Sequence, residues 1–575
     1  MRHSRRLTAL VLLVASLMLV AAGMLLLLRP SPLPSRAVLM INLQDDLPEE
    51  RAHGMVARFL GGREMTVLQV VRALDAAAAD ERIVAVNLHL GGVRCGLGRA
   101  QDVRRALLRL RAEGKPVVAL LAGGGLLDTY LASAADEVYM LPAGSLMAAG
   151  IVVEVPFLRG VLDRVGVYPD FVTAGDGKDA PDPYTRTSMS EVMRRNMNRI
   201  VDDLQGQILS DMAAGRGMEP EAMQRLAHRG LLSARAAMEA GFVDGILHAD
   251  EIAERIRELV APGDPDDMEE LSLTRYARHL GPGWLDRPAT LALVYVTGVL
   301  VQGESLDNEW YGRAAGAVTL SAALKSIRDD EDIAAVVLRI DSPGGSAEAA
   351  EILWREISLT ADSKPVVVSM GDYAASGGYY IAVAGDEILA EPSTITGSIG
   401  VFAGKFALQG FYDWIGMNWE QIKRTPNADI FHDRLPWTRE QRQLLQEQVE
   451  GVHDRFKQVV VEGRDLSVEE VDNLATGRIF TGREAVDVGL VDGLGGLPQA
   501  IAAATRRAGL SGSEQVRLRV YPRAGGFLAG LVRDQSMSLG PSGGPLAGAM
   551  AEAALWDRLA RERVVAYSPS RVVLP

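Results

Sequence analysis

Residues 371–388 read Gly371-Asp372-Tyr373-Ala374-Ala375-Ser376-Gly377-Gly378-Tyr379-Tyr380-Ile381-Ala382-Val383-Ala384-Gly385-Asp386-Glu387-Ile388, and 250 residues earlier the chain reads Leu121-Ala122-Gly123-Gly124-Gly125-Leu126-Leu127-Asp128-Thr129-Tyr130-Leu131-Ala132-Ser133-Ala134-Ala135-Asp136-Glu137-Val138. Ser376 therefore falls on Leu126. The register holds elsewhere: Pro142 falls on Pro392, Gly150 on Gly400, and Glu81-Arg82-Ile83 on Glu331-Asp332-Ile333. Small indels shift it, since Lys115-Pro116 matches Lys364-Pro365 at an offset of 249 and Gly241–Gly245 matches Gly489–Gly493 at 248. Solenoid repeats run to roughly 20–50 residues, so a period this long means a duplicated domain.

The halves have lost opposite residues. The first carries Gly175-Asp176-Gly177-Lys178-Asp179 where the second has Thr425-Pro426-Asn427-Ala428-Asp429, which sets Lys178 on Ala428. One half keeps a lysine and has leucine in place of the serine, while the other keeps the serine and has alanine in place of the lysine. Neither is complete alone.

Serine is a weak nucleophile until a base removes its proton. His432 and His453 lie in charged surroundings and offer no obvious base. A lysine serves if burial lowers its pKa by roughly 2–3 units. The chain has seven lysines against 53 arginines, and arginine cannot deprotonate. Comparing the halves selects Lys178, reaching Ser376 across their boundary, with Lys405 and Lys423 as rivals.

Ser376 precedes an apolar helical stretch, Gly377 to Gly385, whose N-terminal amides suit a developing oxyanion. Asp341-Ser342-Pro343-Gly344-Gly345-Ser346 follows a strand, and its glycines let backbone N–H groups approach a ligand. The first half reads Gly91-Gly92-Val93-Arg94-Cys95-Gly96 there, so the donor loop has decayed with the serine. Cys95, the single cysteine, stands opposite Gly345 and excludes an intrachain disulfide. Ser398, in Thr396-Gly397-Ser398-Ile399-Gly400, is a third polar candidate near the lysine; its counterpart is Ala148.

Short β-branched runs, Val38–Ile41, Ile83–Val86, Pro116–Leu120, Thr290–Val296, Ala335–Ile340 and Pro365–Val368, alternate with helical patterns such as Gln101–Arg111, which predicts an α/β sheet with right-handed crossovers in each half. The boundaries read as an anchor and spacer over 1–34, a first domain over 35–265, a polar linker over 266–288, a second domain over 289–510 and a tail over 511–575 without an assigned role, in which 546–563 has a helical pattern.

With 48% hydrophobic and 23% charged residues the 575-residue chain is globular in composition. Its net charge of -14 argues against nucleic acid as the main partner. Arg2, Arg5 and Arg6 precede an uncharged apolar run from Leu7 to Leu28, 22 residues long, enough to cross a bilayer at about 1.5 Å per residue. A cleaved signal peptide is the alternative, but its apolar core usually runs to about 7–15 residues, so the length predicts an uncleaved anchor, and the basic flank sets residues beyond Pro30 on the outer side of the membrane.

With Asp341–Gly345, Ala375-Ser376-Gly377-Gly378-Tyr379, Thr396–Gly400 and Gly177-Lys178-Asp179 in place, residues 38–510 resemble the long, duplicated form of signal peptide peptidase A. The resemblance implies a tandem of Clp/crotonase-like domains in the bacterial inner membrane, with the catalytic part on the periplasmic side. It implies a homotetramer that cuts signal-peptide remnants without metal, ATP or other cofactor. Its Ser/Lys dyad maps to Ser376 as nucleophile and Lys178 as base, with Ser398 bonded to the lysine and the N–H groups of Gly345 and Gly377 as oxyanion donors. It departs at Asp176-Gly177, where some members carry a bulkier, more basic run. An acyl-thioester enzyme of the same fold, or a non-catalytic scaffold, are the competing readings.

Overall fold

The computed structural model describes residues 32–50, 65–260, 268–280, 290–308, 312–510, 516–522 and 565–567. The expected anchor, Leu7–Leu28, and the helical pattern at 546–563 lie outside them. Among the described residues no helix is long and apolar enough to cross a membrane.

Each half builds one parallel sheet, and the two sheets have the same strand order. The first runs Gly245–Ile246, Glu137–Met140, Val117–Leu121, Ile83–Leu90, Ala37–Leu43, Glu269–Ser272. The second runs Gly493–Leu494, Glu387–Ala390, Val366–Ala375, Ile333–Ser342, Thr290–Thr297, Arg517–Tyr521. The central strands are continuous apolar runs because helices cover them, as parallel sheets require. Val117–Leu121 is buried throughout, and the helices Leu97–Ala112 and Ala347–Ala361 are equivalent crossovers.

Both sheets extend beyond the expected limits. Glu269–Ser272 lies in the segment that composition assigns to the linker, yet it pairs with Ala37–Met40 as an edge strand, and Leu273–Ala277 follows as a helix with Leu273 and Tyr276 buried. Arg517–Tyr521, from the expected tail, is the matching edge of the second sheet. Edge strands need only one apolar face, so neither segment has the β-branched run that marks a central strand.

The halves interlock. The first-half strand Tyr168–Ala174 pairs antiparallel with the second-half strand Val401–Ala407. These belong to a third sheet of order Leu306–Asn308, Gly312–Gly316, Val299–Val301, Gly344–Ser346, Val565–Tyr567, Val401–Ala407, Tyr168–Ala174. A buried ion network also crosses the boundary: Arg339, fully buried, donates to both Glu49 oxygens at 2.7 and 3.1 Å. Nearby, Arg105 pairs with Glu391 at 2.5 Å and Arg99 with Asp372 at 2.6 Å.

Candidate active site

The strand Val366–Ala375 runs to its end without a turn, and Ser376 makes the reversal into the helix Gly377–Ala382 by itself, at φ 54 and ψ -116. Residues with a Cβ avoid that region, so the surroundings must hold it. They do: the Ser376 N–H donates to the Gly397 carbonyl at 2.8 Å and the Tyr380 N–H to the Ser376 carbonyl at 2.9 Å. Gly378 packs so tightly on the Ser342 carbonyl that a Cβ would lie 2.7 Å from it. The second glycine after the serine is therefore a packing requirement.

Lys178 comes from the other half. The pairing of Tyr168–Ala174 with Val401–Ala407 ends with Ala174 opposite Val401, and the loop beyond docks on the second half. There the Gly177 N–H donates to the Thr476 carbonyl at 2.5 Å and the Lys178 N–H to the Gly175 carbonyl at 3.0 Å. Gly177 has little room, since a Cβ would lie 3.1 Å from the Thr476 oxygen, so a bulkier residue there would displace this loop. Gly477, at φ +84, would bring a Cβ within 2.6 Å of the Lys178 nitrogen, and one on Gly400 would lie 3.3 Å from Lys178 Cδ. The lysine lies in a slot of bare backbone.

In that slot Lys178 Nζ is 2.8 Å from Ser376 Oγ, 3.0 Å from Ser398 Oγ and 3.1 Å from the Ser398 carbonyl. Ser398 also has a left-handed backbone, φ 52, and its hydroxyl donates to the Gly477 carbonyl at 3.4 Å. A neutral amine has two N–H bonds and one lone pair. Donation to Ser398 Oγ and to the Ser398 carbonyl leaves the lone pair to accept the Ser376 proton. Burial lowers the Lys178 pKa to about 7, against the opposing pull of the Asp179 charge. Asp179 is itself pushed up to about 6 by burial, with Asp182 adding to the shift.

The rivals point elsewhere. Lys405 Nζ donates to the Ile430 and His432 carbonyls and Lys423 pairs with Asp429. Among the described residues neither they nor His432 and His453 hydrogen-bond Ser376. Burial pushes the Cys95 thiol up to about 12, so it is no nucleophile.

Of the two expected oxyanion donors, Gly377 follows the serine directly and Gly345 lies in the strand Gly344–Ser346. Gly377 opens its helix, where the first amides have no acceptor within the helix. That helix packs against the strand Gly344–Ser346, in which Gly345 lies opposite Leu300 so closely that a Cβ would overlap the Leu300 backbone. In the first half a carboxylate stands beside Leu126 and binds neighbouring backbone. Asp128, the counterpart of Gly378, accepts from the N–H groups of Gly92, Val93 and Gly125 at 3.0, 3.1 and 2.8 Å. A fixed carboxylate consumes those donors. Sequence comparison exposed the missing serine and Gly-Gly; the acidic Asp128 two residues past Leu126 was the available sign of this carboxylate.

Among the described residues no cluster of three or more His, Cys, Asp or Glu side chains suits a metal ion.

Peptidase family S49 matches residues 109–261 and again 358–511. The serine protease SPPA, chloroplastic, of Arabidopsis thaliana is 30% identical over 487 residues, 84% of this chain and 71% of that one. Protease 4 of Haemophilus influenzae is 30% identical over 82% of this chain and 79% of its own, and Protease 4 of Salmonella typhi 28% identical over 78% and 73%. Among solved structures, a ClpP1 point mutant from Listeria monocytogenes aligns with 36% of this chain and 94% of its own at 17% identity and a TM-score of 0.24.

Proposed function

Since this chain belongs to peptidase family S49 and is a serine peptidase, we propose that Ser376 is its nucleophile and Lys178 its general base. The observation that carries this is the buried 2.8 Å contact between Lys178 Nζ and Ser376 Oγ. Ser376 Oγ attacks the scissile carbonyl carbon as its proton passes to the neutral amine. The developing oxyanion is met by the N–H groups of Gly345 and Gly377. The Lys178 ammonium then protonates the leaving amine, and the acyl-enzyme forms. Water, deprotonated by the same amine, releases the acid and restores the serine. Ser398 holds the amine in line and keeps its lone pair toward Ser376.

The substrates are extended apolar peptides, signal-peptide remnants among them, a reading supported by the name of a relative from Enterococcus faecium, putative signal peptide peptidase SppA, 36% identical over 30% of this chain and 50% of its own. Extended chains suit the site because the strand Gly344–Ser346, against which the Ser376 helix packs, already pairs an extended segment, Val565–Tyr567. Each half is a Clp/crotonase-like unit, supported by the repeated parallel sheet and, in the second, by the added short strands Ile395–Gly397 and Ile479–Thr481. Arg2, Arg5, Arg6 and the apolar run to Leu28 support an inner-membrane anchor with the catalytic part on the periplasmic side, and the protein works as a homotetramer.

Peptidase activity of the purified protein on a detergent-solubilised signal peptide tests the assignment. Ser376→Ala and Lys178→Ala should each lower kcat by several orders of magnitude, with the double variant little worse than either. Near wild-type turnover in Lys178→Ala would remove the lysine from its role.

A further inference from the structure

His453 does not touch the dyad, and its neighbours Asp454, Arg455 and Lys457 give it the look of a surface residue. The structure turns it inward. It stands on the 26-residue helix Arg439–Arg464, whose buried side chains Leu445, Val449, Phe456 and Val460 recur at intervals that keep one face to the core. Position 453 falls on that face, in the gap between Val449 and Phe456. The residue is half-buried, and its Nε2 is buried with no hydrogen-bond partner among the described residues.

The ring faces the backbone of two loops. The Ile399 and Ala475 carbonyls both approach it as acceptors and favour its protonated form. The side-chain charges that act on it, Lys457 and Asp454, belong to its own helix, and Lys457 is held in turn by Asp454 and Asp472 at 2.9 and 3.0 Å. Burial outweighs the carbonyls and keeps the pKa of His453 below the ordinary 6.5, so the ring is uncharged at neutral pH.

Each carbonyl belongs to a different wall of the lysine slot. Ile399 follows Ser398, whose hydroxyl and carbonyl hold Lys178 Nζ. Ala475 precedes Thr476 and Gly477, whose carbonyls take the Gly177 N–H at 2.5 Å and the Ser398 hydroxyl at 3.4 Å. A neutral imidazole has one N–H and one bare nitrogen, so between two acceptors it can donate to only one. An unpartnered Nε2 fits that count.

We infer that His453 is a positioning residue for the dyad: by spanning Ile399 and Ala475 it fixes the width of the slot between Ser398 and Gly477, and with it the approach of Lys178 Nζ to Ser376 Oγ. This role presupposes the Ser376–Lys178 assignment proposed above and deepens it. A slot of fixed width holds the amine in line with the serine oxygen. It also keeps water out, and that burial is what brings the Lys178 pKa to about 7. A slackened slot admits water, and a better solvated amine keeps its proton to higher pH.

The test uses the full chain in detergent, with short-peptide kinetics followed across pH and the thermal midpoint measured beside them. His453→Leu suits the apolar face and has no N–H. It should keep the midpoint, lower kcat by roughly tenfold or more with KM little changed, and move the acid limb of kcat/KM up by about one pH unit. His453→Gln, whose amide has two N–H groups for the two carbonyls, should recover most of the rate and return the limb. If leucine does not fold at this position, His453→Ala takes its place with the same expectations. A folded variant with wild-type kcat and an unmoved limb would overturn the role. So would a fall in kcat that tracks a lowered midpoint while the limb stays in place, because a merely structural histidine does that. Lys178→Ala measured alongside separates the two readings: if it retains turnover the dyad itself is wrong, and if it is inactive while His453→Leu behaves as wild type, only the positioning role fails.

Discussion

In the proposed mechanism Lys178 acts as a base only while uncharged, and two opposed effects set how often that is. Burial lowers its pKa to about 7, and the Asp179 charge favours the ammonium. Below about pH 7 the amine is protonated and cannot take the serine proton, so kcat/KM for a short peptide should fall about tenfold per pH unit on the acid side and level off above. Asp179→Asn removes the charge that favours the ammonium and should move the acid limb to lower pH. An unchanged limb would mean that another group sets it. Linkage has a definite sign here: the folded pKa lies below the ordinary 10.5, so the folded state binds fewer protons between about 7 and 10.5. This group's contribution to stability therefore improves as pH rises through that window and is least favourable below it. At this scale the sequence was readable because duplication supplied its own reference: Leu126 against Ser376 and Ala428 against Lys178 select the two side chains that the structure brings to 2.8 Å. The strained backbone of Ser376 and Ser398 was not readable, since a non-glycine residue at positive φ is held there by remote partners, the Gly397 and Arg478 carbonyls.

Among the elements, the loop at Thr476-Gly477-Arg478 does as much to seat the lysine as the loop that carries it. Gly477→Ala would combine a backbone angle that disfavours any Cβ with a contact 2.6 Å from the Lys178 nitrogen. It should cost about 1–3 kcal/mol of stability and depress kcat more than KM, read from denaturant midpoints and peptide kinetics. A wild-type kcat would mean that the lysine loop tolerates displacement. Strands such as Val117–Leu121 and Ile333–Ser342 were legible because central parallel strands need unbroken apolar runs. Glu269–Ser272 was hidden because only Leu271 of its four residues is buried, and two glutamates on an edge read as linker. Pairing of 168–174 with 401–407 was beyond sequence reading too, because nothing in either strand encodes which distant edge it meets.

Across the whole molecule, the halves are fastened by charge as well as by strands. Arg339 has no solvent contact, and Glu49 neutralises it from the other half. Glu49→Gln strands that guanidinium. It should destabilise the protein by about 3 kcal/mol, the low end for a broken buried pair because Asp102 still faces Arg339 at 3.7 Å. A loss well under 1 kcal/mol in urea unfolding would show that water or Asp102 compensates.

The strand Val565–Tyr567 lies between Gly344–Ser346 and Val401–Ala407, with Gly345 opposite Ala566. A peptide that adds itself to Gly344–Ser346 needs that same edge, and so has a rival already tethered to the enzyme. Such a rival competes at a local concentration that dilution cannot lower, and every substrate binds with an apparent affinity reduced by the fraction of molecules whose edge is taken. Ending the chain at residue 561 should therefore lower KM for short peptides while kcat holds, and a synthetic 562–575 peptide added back should raise KM again. If truncation leaves KM unchanged, the incoming peptide uses a different edge. A shared edge of this kind makes residues 565–567 a threshold on occupancy, which a peptide with many contacts crosses more readily than a short one.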